Sequence, residues 1–340
     1  MSFKKIYNEY AGFDVKGFFE KITTDDVLRV LVKDQPDVWD FLTLLSPQAT
    51  EHLEIMARKA NRITLQYFGR TIQLYTPLYL SNYCVNSCSY CGFNVENSVS
   101  RKKLTLDEVK KEAEFISSTG LKHVLILTGE SQKKSPVSYI KDCVGVLKNY
   151  FSSISIETYA LTECEYKELI DFGVDGITIY QEVYDRGIYD KVHLAGPKKD
   201  YEFRLGAPER ALKEGIRTAN IGTLLGLNAW PKEVFFAGLH ARYLQDKFAD
   251  AEIGVSVPRM RPHMGKFKDV WEVKDKELVQ IVMALRIFLP RIGIALSTRE
   301  DAKFRDNLLP LGITRISAGS TTAVGGHTIG SEGDKDDQFE

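Results

Sequence analysis

Hydrophobic spacing divides the chain near residue 70. Before that point apolar residues recur at helical intervals: "SPQATEHLEIMARKANRITLQYFG" carries Leu53, Met56, Ala57, Ala60 and Ile63 in register, and "TTDDVLRVLV" opens on threonine and aspartate as a helix start does. From residue 71 short apolar runs rich in β-branched residues alternate with helical segments. There are eight of these, at 73–82, 123–129, 153–158, 176–182, 219–227, 253–260, 294–299 and 315–319. They are nearly continuous in Val, Ile and Leu, as strands covered on both faces are. Among the intervening helices "LTLDEVKKEAEFISSTG" is the clearest, with a capping-box pattern in Thr105 and Glu108 and a stop at Gly120. Such alternation predicts a parallel sheet with helices outside it, and eight strands close a (β/α)8 TIM-type barrel. The expected organisation is a helical N-terminal extension over 1–70 serving as a lid or plug, a barrel over 71–325, and a mobile acidic tail over 326–340.

Composition narrows the function classes. A net charge of −1 over 340 residues argues against a broad basic surface, so no nucleic acid partner is expected. The N-terminus lacks the apolar core of a secretory signal, and "IVMALRIFLP" is short and broken by Arg286, so no membrane span is expected. Five cysteines do not suit an extracellular disulfide framework, which points to a cytoplasmic chain with reduced thiols.

Three of those thiols, Cys84, Cys88 and Cys91, fall in "SNYCVNSCSYCGFN", directly after the first predicted strand. Barrel chemistry sits at the carboxyl ends of strands, so the triplet is well placed for it. A structural zinc takes four ligands, whereas Cys143 and Cys164 fall in predicted helices and only a distant histidine could complete the set. An iron–sulfur cluster held by three thiolates, with one iron left open, fits the spacing better.

Cys-x3-Cys-x2-Cys after a first barrel strand resembles the radical S-adenosylmethionine superfamily. The motifs "PLYLSNYCVNSCSYCGFN", "RKKLT", "TGE", "YQEVY", "SVPRMRP", "LSTRE", "ISAGSTTAVGG" and "QFE" occur in order, and together they resemble the 2-iminoacetate synthase family, tyrosine lyases of thiamine thiazole biosynthesis. A sister family, the lyase that matures iron-only hydrogenase, shares much of this text. Its additional C-terminal cysteine motif is not found in this sequence. The resemblance implies a 4Fe-4S cluster whose open iron chelates S-adenosylmethionine, and L-tyrosine cleaved at Cα–Cβ to 2-iminoacetate and 4-methylphenol. It also implies reduced flavodoxin or ferredoxin as electron donor and thiazole synthase as recipient of the product. The hydrogenase-maturation lyase lacking its C-terminal cluster domain, a radical enzyme acting on another amino acid, and a non-catalytic iron–sulfur or zinc module are the alternatives.

By the same resemblance Tyr90 lies against adenine, Gly129 and Glu130 meet the methionine ammonium, Ser155 and Glu157 hold the ribose, and Arg204 meets the methionine carboxylate. Leu225, at the end of the fifth run, is placed to offer backbone to adenine. Arg259, Arg261 and Arg299 end the sixth and seventh runs and point to the barrel mouth, where a guanidinium pairs best with a carboxylate. Glu182 and Glu300 can neutralise some of them; the remainder suits a substrate carboxylate, with Ser256 assisting and Gln181 or Glu182 on the ammonium. A purely internal ion-pair network is the competing reading. "SAGSTTAVGG" lacks a P-loop lysine and reads as a close-packed wall. His123, His52 and His240 are expected to be structural, with His193 and His263 left as candidates for proton handling.

Overall fold

The computed structural model describes residues 2–260, 267 and 270–328. Ten strands lie among the described residues: β1 (Gln73–Ser81), β2 (Ser87–Cys88), β3 (His123–Thr128), β4 (Ser153–Glu157), β5 (Gly176–Glu182), β6 (His193–Ala195), β7 (Thr218–Thr223), β8 (Glu252–Ser256), β9 (Gly293–Leu296) and β10 (Arg315–Ser317). Eight of them close a barrel in the order β1, β10, β9, β8, β7, β5, β4, β3, and every neighbouring pair is parallel. All eight apolar runs of the sequence are therefore barrel strands. Several stop short of the run that announces them: β7 ends at Thr223 and β9 at Leu296, and the rest of each run rises into the mouth loops.

Two strands have no counterpart among those runs. β2 lies inside the cysteine loop and pairs antiparallel with β6, Ser87 opposite Ala195 and Cys88 opposite His193. The barrel itself is irregular at the same end. Register slips between Tyr79 and Ser81 in β1 and between Tyr180 and Glu182 in β5, and Glu182 has φ +71°. A non-glycine residue in that region is uncommon and is held by its surroundings; here the Glu182 carbonyl accepts from Thr223 Oγ1 at 2.6 Å and Leu224 N–H at 2.8 Å.

The helices form where their caps are strongest. Thr23 and Asp26, Asp37 and Asp40, and Thr105 and Glu108 make reciprocal capping boxes at Thr24–Val32, Val38–Leu44 and Leu106–Ser118. The N-terminal helices are not a lid or plug. They pack outside the barrel on the helices Trp230–Lys247 and Asp275–Phe288: Phe41 stacks on Phe288 at 4.3 Å, and Gln280 Nε2 donates to the Leu44 and Ser46 carbonyls at 2.9 Å. Their apolar stripes match those helices, so they act as a buttress; none of their residues lines the central cavity. Of the tail expected over 326–340, only 326–328 is described, with Thr328 N–H on buried Glu112 at 2.8 Å; the remainder lies outside the described residues.

Candidate active site

A cavity of about 280 Å³ opens at the carboxyl ends of the barrel strands, bordered by Cys84, Cys88 and Cys91. The cysteine loop reaches it because backbone bonds fix the loop at both flanks. Val85 N–H donates to the Glu130 carbonyl, Gly129 N–H to Ser81, Val95 N–H to Asn86 and Ser89 N–H to Val192, each at 2.9 Å. Arg101 ties the far side, its guanidinium donating to the carbonyls of Asn82, Phe93 and Asn94 at 2.7, 3.0 and 2.6 Å. Cys143 lies buried in Val137–Leu147 and Cys164 is exposed on Glu163–Phe172, both away from the cavity.

Gly129 shows how closely this corner is built. A Cβ there would sit 2.5 Å from the Tyr83 carbonyl oxygen and 3.2 Å from Cys84 Cβ, so only glycine lets the end of β3 pass beneath the loop. Beside it, Glu130 accepts from Asn86 Nδ2 at 2.6 Å. Among the described residues no three His, Cys, Asp or Glu side chains converge on a single point. Three thiols spaced around an open cavity fit a cluster, whose ligands stand at separate corners. Burial pushes the Cys88 thiol up to about 12 against the pull of the Lys198 ammonium. Such a thiol gives up its proton to a metal rather than to water.

β6 and the turn after it bring in a group that carries no signature in the sequence. Lys198 Nζ lines the cavity and donates to Glu182 Oε1 at 2.7 Å, while its backbone N–H rests on Asn86 Oδ1 at 2.9 Å. Arg204, also in the cavity, donates from Nε to the Tyr180 carbonyl at 2.7 Å and lies 3.7 Å from Glu182. Burial and Arg204 pull the Lys198 ammonium down, but Glu182 and the Cys88 thiol outweigh them and hold it above its ordinary value. Tyr90 lines the cavity and bonds His193 Nε2 at 2.8 Å, and His193 Nδ1 is spent on the Tyr189 carbonyl at 2.9 Å. Burial, with Lys198 adding to it, lowers His193 to about 2. His193 is a neutral strut for Tyr90 rather than a proton carrier.

The cavity is lined further by Tyr75, Tyr79, Tyr180, Glu157, Ser256, Arg299, Ser317, Ser320 and Thr322. Small hydroxyl residues from "SAGSTTAVGG" do form part of it. Ser256 Oγ accepts from Asn220 Nδ2 at 2.9 Å. Burial foremost, then Glu182, raises the Glu157 carboxyl to about 7, against Arg299, Lys198 and Arg204. Burial also lifts the phenols of Tyr75, Tyr79 and Tyr180.

Four expected residues do not join this site. Arg259 is consumed by its neighbours: it grips both carboxylate oxygens of Glu300 and donates to Asp275 Oδ1 at 2.7 Å and the Val273 carbonyl at 2.9 Å. It does not line the cavity, so the internal-network reading applies to it. Gln181 sits between the inward residues Tyr180 and Glu182 and faces the other side of the strand, as a period of two requires; it is buried with neither amide atom partnered. Ser155 and Glu157 share the inner face but not the same layer: Ser155 lines a separate cavity of about 50 Å³ with Gln73, His123 and Arg315 toward the amino ends of the strands. Leu225 spends its N–H on the Pro258 carbonyl at 2.8 Å and its carbonyl on Met260 N–H at 2.7 Å, leaving Leu224 to line the cavity. Arg261 and His263 lie outside the described residues.

Residues 78–236 match the Radical SAM superfamily and residues 256–332 the Biotin and Thiamin Synthesis associated domain. The chain is 39% identical to the 2-iminoacetate synthase of Escherichia coli (strain K12) over 90% of this chain and 81% of that one. It is 38% identical to the 2-iminoacetate synthase of Salmonella typhimurium over the same shares. The FeFe-hydrogenase maturase HydG from Carboxydothermus hydrogenoformans superposes with a TM-score of 0.92 at 31% identity, covering 100% of this chain and 80% of that one.

Proposed function

The chain belongs to the 2-iminoacetate synthase family of radical S-adenosylmethionine enzymes, and from that premise we propose how its residues divide the work of a tyrosine lyase. The enzyme cleaves the Cα–Cβ bond of L-tyrosine to 2-iminoacetate and 4-methylphenol, with a 4Fe-4S cluster and S-adenosylmethionine as cofactors. Once bound, those cofactors supply the one-electron cleavage that produces a hydrogen-abstracting 5′-deoxyadenosyl radical. The protein's residues bind, orient and exclude.

In this reading Cys84, Cys88 and Cys91 hold the cluster. Glu130 and the Gly129 backbone receive the methionine ammonium, a carboxylate suiting that cation. Lys198 and Arg204, already neutralised in part by Glu182, receive the methionine carboxylate, and Tyr90 walls the nucleoside side. With Ser155 in another layer, the ribose pair is broken, and Glu157 is assigned to the substrate. It accepts from the tyrosine ammonium, and a carboxyl titrating near neutrality is suited to take one of its protons. Arg299, in the same cavity, takes the tyrosine carboxylate in fork geometry, with Ser256 also lining it.

Three thiols bordering the same cavity as Glu157 and Arg299 are the observation that carries this reading. The test is anaerobic reconstitution followed by reduction in the presence of tyrosine and S-adenosylmethionine. Equimolar 5′-deoxyadenosine and 4-methylphenol are expected, and the absence of both overturns the assignment. Because 2-iminoacetate is an imine open to hydrolysis, direct hand-over to thiazole synthase fits the product. Thiols that must stay reduced fit a cytoplasmic setting, and no described helix is long and apolar enough to cross a membrane.

A further inference from the structure

This inference rests on the family reading above and concerns what holds the end of β5 in place. Glu182 lines the cavity, bonds Lys198 Nζ at 2.7 Å and lies 3.7 Å from Arg204. It is also the one described residue other than glycine with a positive φ. The turn that follows it, residues 183–185, is tightly built: Val183 and Tyr184 are fully buried, and the Asp185 side chain caps the helix Arg186–Val192 by accepting from Ile188 N–H at 3.1 Å. That helix runs directly into β6 and so to Lys198. The turn therefore places both Glu182 and the ammonium it pairs with.

A single side chain outside the cavity meets this turn. Glu233, in the helix Trp230–Lys247, accepts from Tyr184 N–H through Oε2, and through Oε1 from Asp185 N–H at 3.3 Å and Asn228 Nδ2 at 2.8 Å. Asn228 belongs to the loop after β7, the loop whose Leu224 N–H donates to the Glu182 carbonyl at 2.8 Å. One carboxylate thus joins two mouth loops. It is 2% exposed, and these three partners are uncharged donors. Burial, only partly offset by those bonds, raises its carboxyl to about 7. A buried carboxylate is expensive to keep, but it alone accepts at both oxygens; an amide of the same shape sets an NH2 against an N–H. Tyr201 Oη donates to the Tyr184 carbonyl at 2.8 Å, so both backbone groups of Tyr184 are taken.

We propose that Glu233 is a positioning residue for the S-adenosylmethionine carboxylate: by fixing the turn 183–185 it holds Glu182 at its positive φ and, through Glu182, sets Lys198 and Arg204 at the spacing that the carboxylate needs. A non-glycine residue keeps such a conformation only where its surroundings over-determine it. Once the carboxylate clamp is lost, Glu182 relaxes toward extended backbone and the two cations lose their common anchor.

The test measures S-adenosylmethionine binding to the cluster-loaded, oxidised enzyme by equilibrium dialysis. Glu233→Gln is expected to raise the Kd at least ~10-fold, with iron content unchanged and, at saturating S-adenosylmethionine, KM for tyrosine unchanged. Lys198→Met should weaken binding as well, and Glu233→Gln added to it should cost under ~3-fold more, because both act through one cradle. In cofactor-free protein, hydrogen–deuterium exchange over 183–186 should quicken in Glu233→Gln. It should not do so in Gln280→Ala, which breaks buried bonds elsewhere in the outer layer. Parent affinity in Glu233→Gln overturns the proposal. So does a fully multiplicative loss in the double variant, or equal weakening by Gln280→Ala. Should Glu233→Gln not fold, Tyr201→Phe carries the test: loss of its bond to the Tyr184 carbonyl should raise the Kd at least ~3-fold, and an unchanged Kd overturns the assignment. Failure of the family reading shows separately, as parent protein that takes up no iron or sulfide.

Discussion

The two walls of the cavity are built on opposite plans. The wall from the first half of the barrel, carrying the cysteines, Gly129, Glu130, Glu182, Lys198 and Arg204, is tied by hydrogen bonds running through backbone and charge alike. The wall from β8 to β10 mixes small hydroxyl residues with the apolar Val257, Met260, Ala295 and Leu296 around Arg299, and Arg259 is turned away into a pair with Glu300. Rigidity on one side suits a cluster whose ligands must not shift, and a smoother, partly apolar pocket suits a substrate that enters whole and leaves as two products. The halves also coincide with two separate family matches, 78–236 and 256–332.

The largest expected effect is on the tied wall. Cys88→Ala should abolish iron uptake and turnover together. Gly129→Ala forces a Cβ against the Tyr83 carbonyl, which should lower cluster loading or activity about 10–100-fold, read by iron content and visible absorbance. Iron loading that matches the parent enzyme would show the wall to be more yielding than drawn here.

On the smoother wall the two arginines should part company. Arg299→Lys removes the fork and should lower kcat/KM for tyrosine by about 10–100-fold while S-adenosylmethionine affinity holds. Arg259→Met breaks a buried pair instead, and should lower stability by about 3–5 kcal/mol with KM for tyrosine unchanged. A KM shift in the second variant and none in the first would reverse the assignment.

The smallest effect is a pH dependence. Glu157 is raised from its unfolded 4.5 to about 7, so the folded protein holds that proton between those values while the unfolded chain has lost it. Its contribution is fully favourable below about 4.5 and is lost as pH rises through about 7. Glu157→Gln should therefore leave cofactor-free stability little changed near pH 4.5 and raise it above pH 7, by on the order of 3 kcal/mol at most. Melting curves across that range check the sign.

Much of this was legible in the sequence because it is local. Period-two and period-3.6 spacing marks strands and helices, the capping boxes mark helix starts, and the three thiols lie within eight residues of one another. What was not legible depends on partners distant in the chain. Lys198 matters because Glu182 and Asn86 meet it, and nothing in "GPKKD" announces either. Arg259 and Arg299 look alike as strand-end arginines; only the position of Glu300 and Asp275 separates them. Gln181 and Ser155 lie outside the site for a simpler reason, since a strand position fixes both face and layer: Gln181 is on the wrong face and Ser155 in the wrong layer.

The short pairing of β2 with β6 joins positions about a hundred residues apart, Ser87 with Ala195. A chain leaving the ribosome thus presents its three thiols well before the segment that covers them has been made. During that interval Cys88 lacks the strand it pairs with, so the loop can take its final geometry only after synthesis has passed residue 195.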